Sequence, residues 1–352
     1  MKQLRTLDMH TLRVVLAVIA LVLAASLEWG CVDSNYRKQV FSPFDLCGPV
    51  DGKLYGYDFL RKAAIAVDSR GASEICKLPL SEMTTSACNR NSLFLVSLSL
   101  VTSKGTLATV DLKSHRLRRS ISVKDHFFVP QANDDIFLIH NLDKTEILVM
   151  RLSDNVTKVI KDVLFAVAIG KNIYVKSKES KVVDVVRIDT FARTPTKLVG
   201  GPIGRFGDKL LLYSEGLVRA YDLDDGKASP AIPISPYWPS ARTFAHNRYL
   251  WVWDQRSRSL RCLADGKVHV AKPGVQGFGV VVAAKDESAI LLDIDMNNIT
   301  VSSVSVQGSV LEVRKLGTFG STRMRAFGAT SVYFYLTVDD GLKRIALPTD
   351  MR

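Results

Sequence analysis

The sequence predicts an all-β protein, and three observations support this fold class. Val, Ser and Thr are abundant, and no heptad pattern typical of coiled coils is present. From about residue 50 onward, short apolar segments alternate with turns rich in Asp, Gly, Lys or Ser. The ends of equivalent strands recur at intervals of 32 to 50 residues, averaging 39. Such a period, with about four strands per repeat, predicts a β-propeller, in which sheets form blades around a central channel.

The first 26 residues have the features of a secretory signal peptide. Lys2, Arg5 and Arg13 precede an uncharged apolar stretch at residues 14–27, and small residues at 24–26 allow cleavage after Ser26. The alternative is an uncleaved membrane anchor. Fourteen helical residues span only about 21 Å, less than the hydrocarbon core of about 30 Å. We therefore predict a secreted or extracytoplasmic protein with no membrane span after cleavage.

Five cysteines are present: Cys31, Cys47, Cys76, Cys88 and Cys262. The first four lie close together after the predicted cleavage site, and in an oxidising compartment they predict two disulfide bonds. Three pairings are possible for four cysteines. The short loops Cys31–Cys47 and Cys76–Cys88 are favoured because they cost the least closure entropy. Cys262 is interpreted as a buried thiol of a strand.

Seven copies of the repeat predict seven blades. They begin at Ser92, Ile136, Asn172, Asp208, Tyr249, Val280 and Val332. Residues 52–68 form an incomplete eighth copy, and we expect this segment to close the ring by adding a strand to the last blade. Six or eight blades are the alternatives. The predicted organisation is a signal peptide at 1–26, a cysteine-bearing segment with the ring-closing strand at 27–90, and the blades at 91–352.

The dipeptide Trp253-Asp254 and the near match Tyr221-Asp222 occur at strand ends. In these residues and in its period the chain resembles WD-repeat propellers. The Gly-His dipeptide of that family is absent from every copy, so the resemblance is one of architecture. It implies a central channel and two faces that carry loops, and no specific activity. Two β-sandwich domains are the main alternative, but they do not explain the regular period.

Motifs for common catalytic chemistry are missing from the sequence. It contains neither His-Glu-x-x-His nor Gly-x-Ser-x-Gly. Segments 222–226 and 293–298 partly match calcium-binding loops but lack required ligands, so we interpret them as blade turns. We therefore expect no metal, cofactor or recognisable catalytic residue. Asn155-Val-Thr157 and Asn298-Ile-Thr300 are N-glycosylation acceptors and predict a glycoprotein if the source is eukaryotic.

Aromatic residues and arginines are concentrated between residues 237 and 261. Such a mixture favours binding to polyanions by stacking and charge. Tyr249, Trp251 and Trp253 are expected to pack between blades instead. The candidate ligand-binding residues are Tyr237, Trp238, Arg242, Arg248, Arg256 and Arg258.

A second basic run predicts an exposed outer strand. It contains Lys113, His115, Arg116, Arg118, Arg119 and Lys124. The full chain carries a net charge of +12, and removal of the signal segment lowers it to about +10. For a secreted protein this charge favours an acidic glycan or an extracellular protein as partner, not nucleic acid. The predicted function is that of a binding or scaffold module. The alternative is an extracellular hydrolase or lyase with its site in the channel.

Overall fold

The fold is built from antiparallel sheets that repeat along the chain. A computed structural model describes residues 46–348, except for positions 82, 100–103, 125–126, 142–144, 207, 235–240, 247–248, 255, 276–277, 286, 296, 309, 321–325, 331 and 339–340. The described residues form 31 strands in eight sheets and no helix. None of them therefore belongs to a helix that could cross a bilayer. The predicted signal segment and Cys31 lie outside the described residues.

Each sheet is one blade, and its strands follow one another in chain order. Blade 1 contains β1 (Cys47–Val50), β2 (Lys53–Asp58), β3 (Ala63–Asp68) and β4 (Gly71–Lys77). Blade 2 contains β5 (Met83–Cys88), β6 (Ser92–Ser99), β7 (Lys104–Asp111) and β8 (Arg116–Lys124). Blade 3 contains β9 (Phe127–Ala132), β10 (Ile136–Asn141), β11 (Glu146–Arg151) and β12 (Thr157–Lys161). Blade 4 contains β13 (Phe165–Ile169), β14 (Asn172–Lys176), β15 (Val182–Arg187) and β16 (Arg193–Val199).

The second half of the chain continues the same pattern. Blade 5 contains β17 (Gly201–Phe206), β18 (Lys209–Ser214), β19 (Leu217–Tyr221) and β20 (Ile232–Pro233). Blade 6 contains β21 (Ala241–His246), β22 (Tyr249–Asp254), β23 (Ser259–Ala264) and β24 (Lys267–Ala271). Blade 7 contains β25 (Phe278–Lys285), β26 (Ser288–Ile294), β27 (Ile299–Gln307) and β28 (Val310–Phe319). Blade 8 contains β29 (Ala326–Ala329), β30 (Tyr333–Val338) and β31 (Gly341–Ala346).

The first strands of the blades line the centre of a closed ring. Each contacts the first strand of the next blade, and β1 of blade 1 contacts β29 of blade 8. At this junction the Leu46 amide donates a hydrogen bond to the Phe327 carbonyl at 3.2 Å. Gly328 permits the close approach, because a Cβ atom there would lie 2.7 Å from Leu54 Cδ1. Ring closure leaves only short sheet edges exposed.

The core is divided into eight apolar clusters of described residues, one at each interface between neighbouring blades. Strand β22 shows how one strand serves two interfaces, because its side chains alternate between the faces of blade 6. Trp251 and Trp253 pack towards blade 7, and Leu250 and Val252 pack towards blade 5. The whole strand is buried, which explains its nearly continuous apolar sequence.

The propeller class is confirmed, but the ring has eight blades instead of the expected seven. Residues 52–68 do not complete the last sheet; they contain β2 and β3 of a complete blade at the start of the chain. Blade 8 closes the ring by packing against blade 1. The predicted boundary between residues 90 and 91 falls inside blade 2, between β5 and β6. Asp68 ends the third strand of blade 1, just as Asp111 ends the third strand of blade 2. With Asp68 included, the sequence contains eight equivalent strand ends, one for each blade.

The turns of the blades are divided between the two faces of the ring. Because consecutive strands are antiparallel, the first-to-second and third-to-fourth turns share one face, which we call the front face. The second-to-third turns and the connections between blades lie on the opposite face, which we call the back face.

The two segments that partly match calcium loops are turns capped by aspartate side chains. The Asp295 carboxylate accepts hydrogen bonds from the amides of Asn297 and Asn298 at 2.7 and 2.6 Å. The Asp222 carboxylate accepts one from the Asp224 amide at 3.0 Å. Such Asx turns explain why Asp recurs where strands end. Within the described residues no group of three or more His, Cys, Asp or Glu side chains could hold a metal ion.

Candidate binding surface

The aromatic segment around blade 6 is mostly core. Trp251 and Trp253 are fully buried and Tyr249 is 3% exposed, as expected for packing between blades. The Tyr249 hydroxyl donates a hydrogen bond to the Glu287 carboxylate at 2.8 Å. Gly279 of blade 7 leaves room for Trp253, since a Cβ atom there would lie 2.2 Å from the Trp253 ring. These three aromatic side chains stabilise the packing between blades and are not available to a ligand.

Only part of the predicted ligand-binding set lies in the described structure. Arg256 and Arg258 are exposed in the turn between β22 and β23, on the back face. Arg242 is the second residue of β21, but its side chain lies outside the described part. Tyr237, Trp238 and Arg248 lie outside the described residues. The proposed cooperation of these six residues therefore stays a prediction.

Arg261, the last arginine of this segment, is held by a buried carboxylate. Its guanidinium lies 3.3 Å from Asp254, whose carboxylate also accepts hydrogen bonds from the Ser257 hydroxyl at 2.8 Å and the Arg256 amide at 3.2 Å. The Asp254 side chain is only 2% exposed. The charge of Arg261 is thereby neutralised inside the protein, where it cannot attract a ligand.

The second basic run occupies β8, the outer strand of blade 2, together with the turn before it, and its residues at 116–120 are exposed as expected. The sequence predicts that Arg116, Arg118 and Ser120 share one face of this strand, but such regular alternation does not hold throughout. Arg119 pairs with Thr109 and Leu117 pairs with Val110, so Arg118 is the extra residue of a β-bulge. The bulge brings the neighbouring side chains of Arg118 and Arg119 to the same cleft, which strict alternation would have prevented.

This cleft lies on the front face between blades 2 and 3 and has a volume of about 340 Å³. Phe94 and Met150, both buried, form its apolar floor. Its walls are polar and come from turns of both blades and from β8. The polar residues that line it are Asn89, Asn91, Ser92, Thr109, Arg118, Arg119, Asp134, Asp135, Ser153 and Asn155.

Two asparagines, missed by the sequence analysis, hold the turns around this cleft. Asn89 accepts hydrogen bonds from two amides of its own turn and donates one to the Asn133 carbonyl at 2.9 Å. Asn133 repeats the arrangement in blade 3 and donates to the Gly170 carbonyl at 3.0 Å. These hydrogen bonds thus connect the turn after the first strand of blade 2 to the equivalent turn of blade 3, and the turn of blade 3 to that of blade 4. The signal in the sequence is an Asn three residues before a strand, in Asn89-Arg-Asn-Ser92 and Asn133-Asp-Asp-Ile136.

Several carboxylates on this side of the ring already have cationic partners. Asp111 is paired with Arg118, and Arg90 lies 3.5 Å from Asp134. The pKa of Asp111 is lowered to about 2. The main cause is the hydrogen bond that its carboxylate accepts from the Ser114 amide, and hydrogen bonds from the side chains of Ser114 and Arg118 lower the pKa further. Asp111 therefore stays ionised and retains Arg118.

Five other cations of blades 2 and 3 are exposed and lie beyond ion-pair distance of any carboxylate in the described part of the chain. We call them the basic rim; they are Lys113, Arg116, Arg119, Lys158 and Lys161. Arg119 joins the two blades, because its guanidinium donates a hydrogen bond to the Asn155 carbonyl at 3.4 Å. Lys158 lies over the ring of Phe191, 5.2 Å from its centroid. The basic rim thus has cations on both blades, which are joined at Arg119, and Lys158 faces the turn of blade 4 that carries Phe191.

The described cysteines are all free thiols. Cys47, Cys76 and Cys88 are half-buried and Cys262 is fully buried, as expected for a strand residue. The favoured Cys76–Cys88 disulfide is not formed, because Cys76 lies on the outer strand of blade 1 and Cys88 on the innermost strand of blade 2. Cys31, the predicted partner of Cys47, lies outside the described residues.

The two glycosylation acceptors differ in accessibility. Asn155 is exposed in a front-face turn of blade 3, at the rim of the cleft. Asn298 is half-buried and hydrogen-bonded to Asp295. Glycosylation stays a prediction for both, and Asn155 presents the more accessible side chain.

No known family profile and no curated protein matches this chain. Solved structures with a similar fold include Hsv2 of Kluyveromyces lactis, with a TM-score of 0.55 and 12% identity over 77% of this chain and 96% of that one. Streptogramin B lyase has a TM-score of 0.50 and 9% identity over 88% and 95%. The dihydro-heme d1 dehydrogenase NirN has a TM-score of 0.52 and 14% identity over 78% and 68%. At these identities the similarity extends to the propeller fold alone.

Proposed function

We propose that this propeller is a non-catalytic binding module for an anionic polymer, such as an acidic glycan, outside the cytoplasm. The observation that carries the proposal is the basic rim, in which five exposed cations on adjoining blades have no carboxylate partner among the described residues. Cations that are not neutralised within the protein attract polyanions, and several together give a salt-dependent affinity.

The cleft adds a second element to this surface. Arg119 belongs to both the basic rim and the wall of the cleft, so a bound chain that follows the rim passes the cleft opening. Asn91, Thr109 and Ser153 line the cleft as neutral hydrogen-bonding side chains. Hydroxyl and amide groups of this kind suit the hydroxyl-rich units of a glycan, while the arginine and lysines suit its acidic groups.

A charge-matched set of variants tests the basic rim. Arg116→Ala with Arg119→Ala, and Lys158→Ala with Lys161→Ala, each remove two rim charges. Arg314→Ala with Lys315→Ala removes two exposed charges from β28 of blade 7 and serves as control. On an immobilised heparin column with a salt gradient, we expect both rim variants to elute at lower salt than the control.

A comparison with blade 6 separates the two candidate surfaces. Trp238→Ala with Arg242→Ala, and Arg256→Ala with Arg258→Ala, alter the surface that the sequence favoured. If these variants elute early while the rim variants elute like the wild type, the ligand site lies on blade 6 and the rim proposal is wrong. If the wild type does not bind at low salt, or the blade 7 control loses as much retention as the rim variants, specific polyanion binding is excluded.

Secretion is part of the proposal and has its own test. The signal-like segment before residue 27 supports export, and the net positive charge suits an acidic partner outside the cytoplasm. Mass spectrometry of the mature protein should find an N-terminus near Leu27. An intact Met1 would contradict cleavage and favour the alternative of a membrane-anchored chain.

The propeller fold is compatible with the alternative of a hydrolase or lyase in the channel as well as with a binding module. The similarity to streptogramin B lyase is a similarity of architecture at 9% identity, and one propeller architecture serves many activities.

A further inference from the structure

Two cysteines from different blades meet near the centre of the ring. Cys47 begins β1 of blade 1 and Cys88 ends β5 of blade 2. Strands β1 and β5 are neighbours whose Cα atoms approach within 8 Å. Both thiols are half-buried and pack against the apolar cluster between the two blades. The 40 residues between them in sequence hide this proximity.

The contacts of Cys47 show the direction of both side chains. Its Sγ atom donates a hydrogen bond to the Tyr55 carbonyl at 3.3 Å. Ser86 and Cys88 of β5 are the neighbouring side chains that act on the pKa of this thiol, which Cys88 raises and Ser86 lowers. Residues two apart on a strand project from the same face, so Ser86 and Cys88 both point at Cys47. Strand pairing agrees with this orientation, because Cys88 pairs with Leu93 of the apolar cluster between blades 1 and 2, and Cys47 packs against the same cluster.

Cys76 does not compete for either partner. Blade 1 has the order β1-β2-β3-β4, so Cys76 on β4 is three strand spacings from Cys47 on β1. That separation is about 14 Å, whereas a disulfide requires Cα atoms within about 7 Å. Within the described residues, Cys88 is therefore the cysteine that Cys47 meets.

We propose that Cys47 and Cys88 form a disulfide bond that links the inner strands of blades 1 and 2 when the protein meets a small-molecule or protein disulfide oxidant. One cysteine thiolate attacks a sulfur of the oxidant and releases a thiolate, leaving a mixed disulfide. The second cysteine thiolate attacks the protein sulfur of that mixed disulfide and releases the other oxidant thiolate. The pair loses two electrons and two protons, and the oxidant disulfide is reduced to two thiols.

The bond would secure the first blade of the ring. Blade 1 is held by blade 2 on one side and by the closure with blade 8 on the other, and it is the first part of the described chain. A covalent link to blade 2 closes the loop between the two cysteines in the unfolded chain and so favours the folded state. Burial raises the pKa of the Cys47 thiol, with Cys88 as the next cause, so that little of this thiol is thiolate at neutral pH. Its reaction with an oxidant is therefore slow, which favours a structural bond over a rapid sensor.

Oxidation of the purified full chain tests the proposal without reference to its ligand or compartment. The reduced protein is incubated with oxidised glutathione, free thiols are alkylated, and the non-reduced digest is analysed by mass spectrometry. We expect a peptide joining Cys47 to Cys88, a mass loss of about 2 Da per bond, and alkylated Cys76 and Cys262. We also expect the melting temperature of the oxidised protein to exceed that of the reduced protein by about 5 °C.

Serine variants provide the controls. Cys47→Ser and Cys88→Ser should each abolish both the linked peptide and the oxidation-dependent rise in melting temperature, while Cys76→Ser should retain both. A linked peptide joining Cys31 to Cys47, or Cys76 to Cys88, would overturn the proposal and restore the pairing that the sequence favours. Full alkylation of Cys47 and Cys88 after exposure to the oxidant would also overturn it.

Discussion

Blades 2 and 6 contain similar charged residues and use them in opposite ways. In blade 6, Arg261 is fixed by the buried carboxylate of Asp254, beside the fully buried Trp253. In blade 2, Arg116 and Arg119 lie on the exposed outer strand and have no carboxylate partner among the described residues. An arginine on an inner strand therefore has to be paired within the protein, whereas an arginine on an outer strand can remain available to a ligand.

The physical reason is the number of neighbours that a strand has. Strand β23, which carries Arg261, is the third strand of its blade, lies between β22 and β24, and packs against a blade on either face. Strand β8 pairs on one side only and ends the blade at the rim. A side chain on β23 must therefore be apolar or paired, whereas one on β8 can remain solvated.

The largest expected effect comes from truncating a buried ring of blade 6. Trp253→Ala removes a fully buried indole that fits against Gly279 of blade 7, and we expect it to lower the free energy of unfolding by about 3–5 kcal/mol. Leu117→Ala on β8 is the matched truncation at a 44% exposed position, with an expected loss of about 0.5 kcal/mol or less. Urea unfolding of the two variants measures both losses in the free energy of unfolding. Equal losses would contradict the contrast between the two blades.

An intermediate effect is expected at the ion pair of blade 6. Asp254→Ala leaves the guanidinium of Arg261 without its carboxylate and removes the acceptor of the Arg256 amide. We expect a loss of about 2–4 kcal/mol. Arg258→Ala, in the adjoining exposed turn, should change stability by about 0.5 kcal/mol or less. Thermal unfolding compares the stabilities of the two variants. If Asp254→Ala melts at the same temperature as the wild type, the ion pair between Asp254 and Arg261 is dispensable.

The smallest expected effect concerns the pH dependence of blade 2. The folded-state pKa of Asp111 is about 2, below its ordinary value of 3.8. Because the folded pKa is lowered, the ionised carboxylate stabilises the fold above about pH 4, and this contribution is lost as the pH falls through 2. Asp111→Asn removes the charge and keeps an oxygen acceptor for the Ser114 amide. The variant should be less stable than the wild type at pH 6 and should approach it near pH 2.

Denaturant unfolding between pH 6 and pH 2 measures this convergence. Asp154→Asn is a useful comparison, because the pKa of Asp154 is also lowered, mainly by the side-chain hydrogen bond from Arg151 in blade 3. A constant difference between wild type and Asp111→Asn across the pH range would show that geometry, and not charge, accounts for the role of Asp111.

Some features of the binding surface could be predicted from the sequence and others could not. The exposed strand with Arg116 and Arg119 follows from local composition, because charged residues at successive positions do not suit a buried strand. The cleft cannot be predicted from local composition. The bulge at Arg118 depends on pairing with β7, and the turns held by Asn89 and Asn133 depend on contact between blades. Likewise, the closest pair of described cysteines, Cys47 and Cys88, is not the pair with the shortest loop.

The propeller class and the burial of the blade 6 aromatics could be predicted from the sequence, because period and alternation are local consequences of strand geometry. Three features could not be predicted in this way: the number of blades, the closure of the ring by blade 1 against blade 8, and the proximity of Cys47 to Cys88. These features depend on how many sheets fit around one centre and on which strand faces become neighbours. They arise from packing between residues far apart in the chain, which no local pattern records.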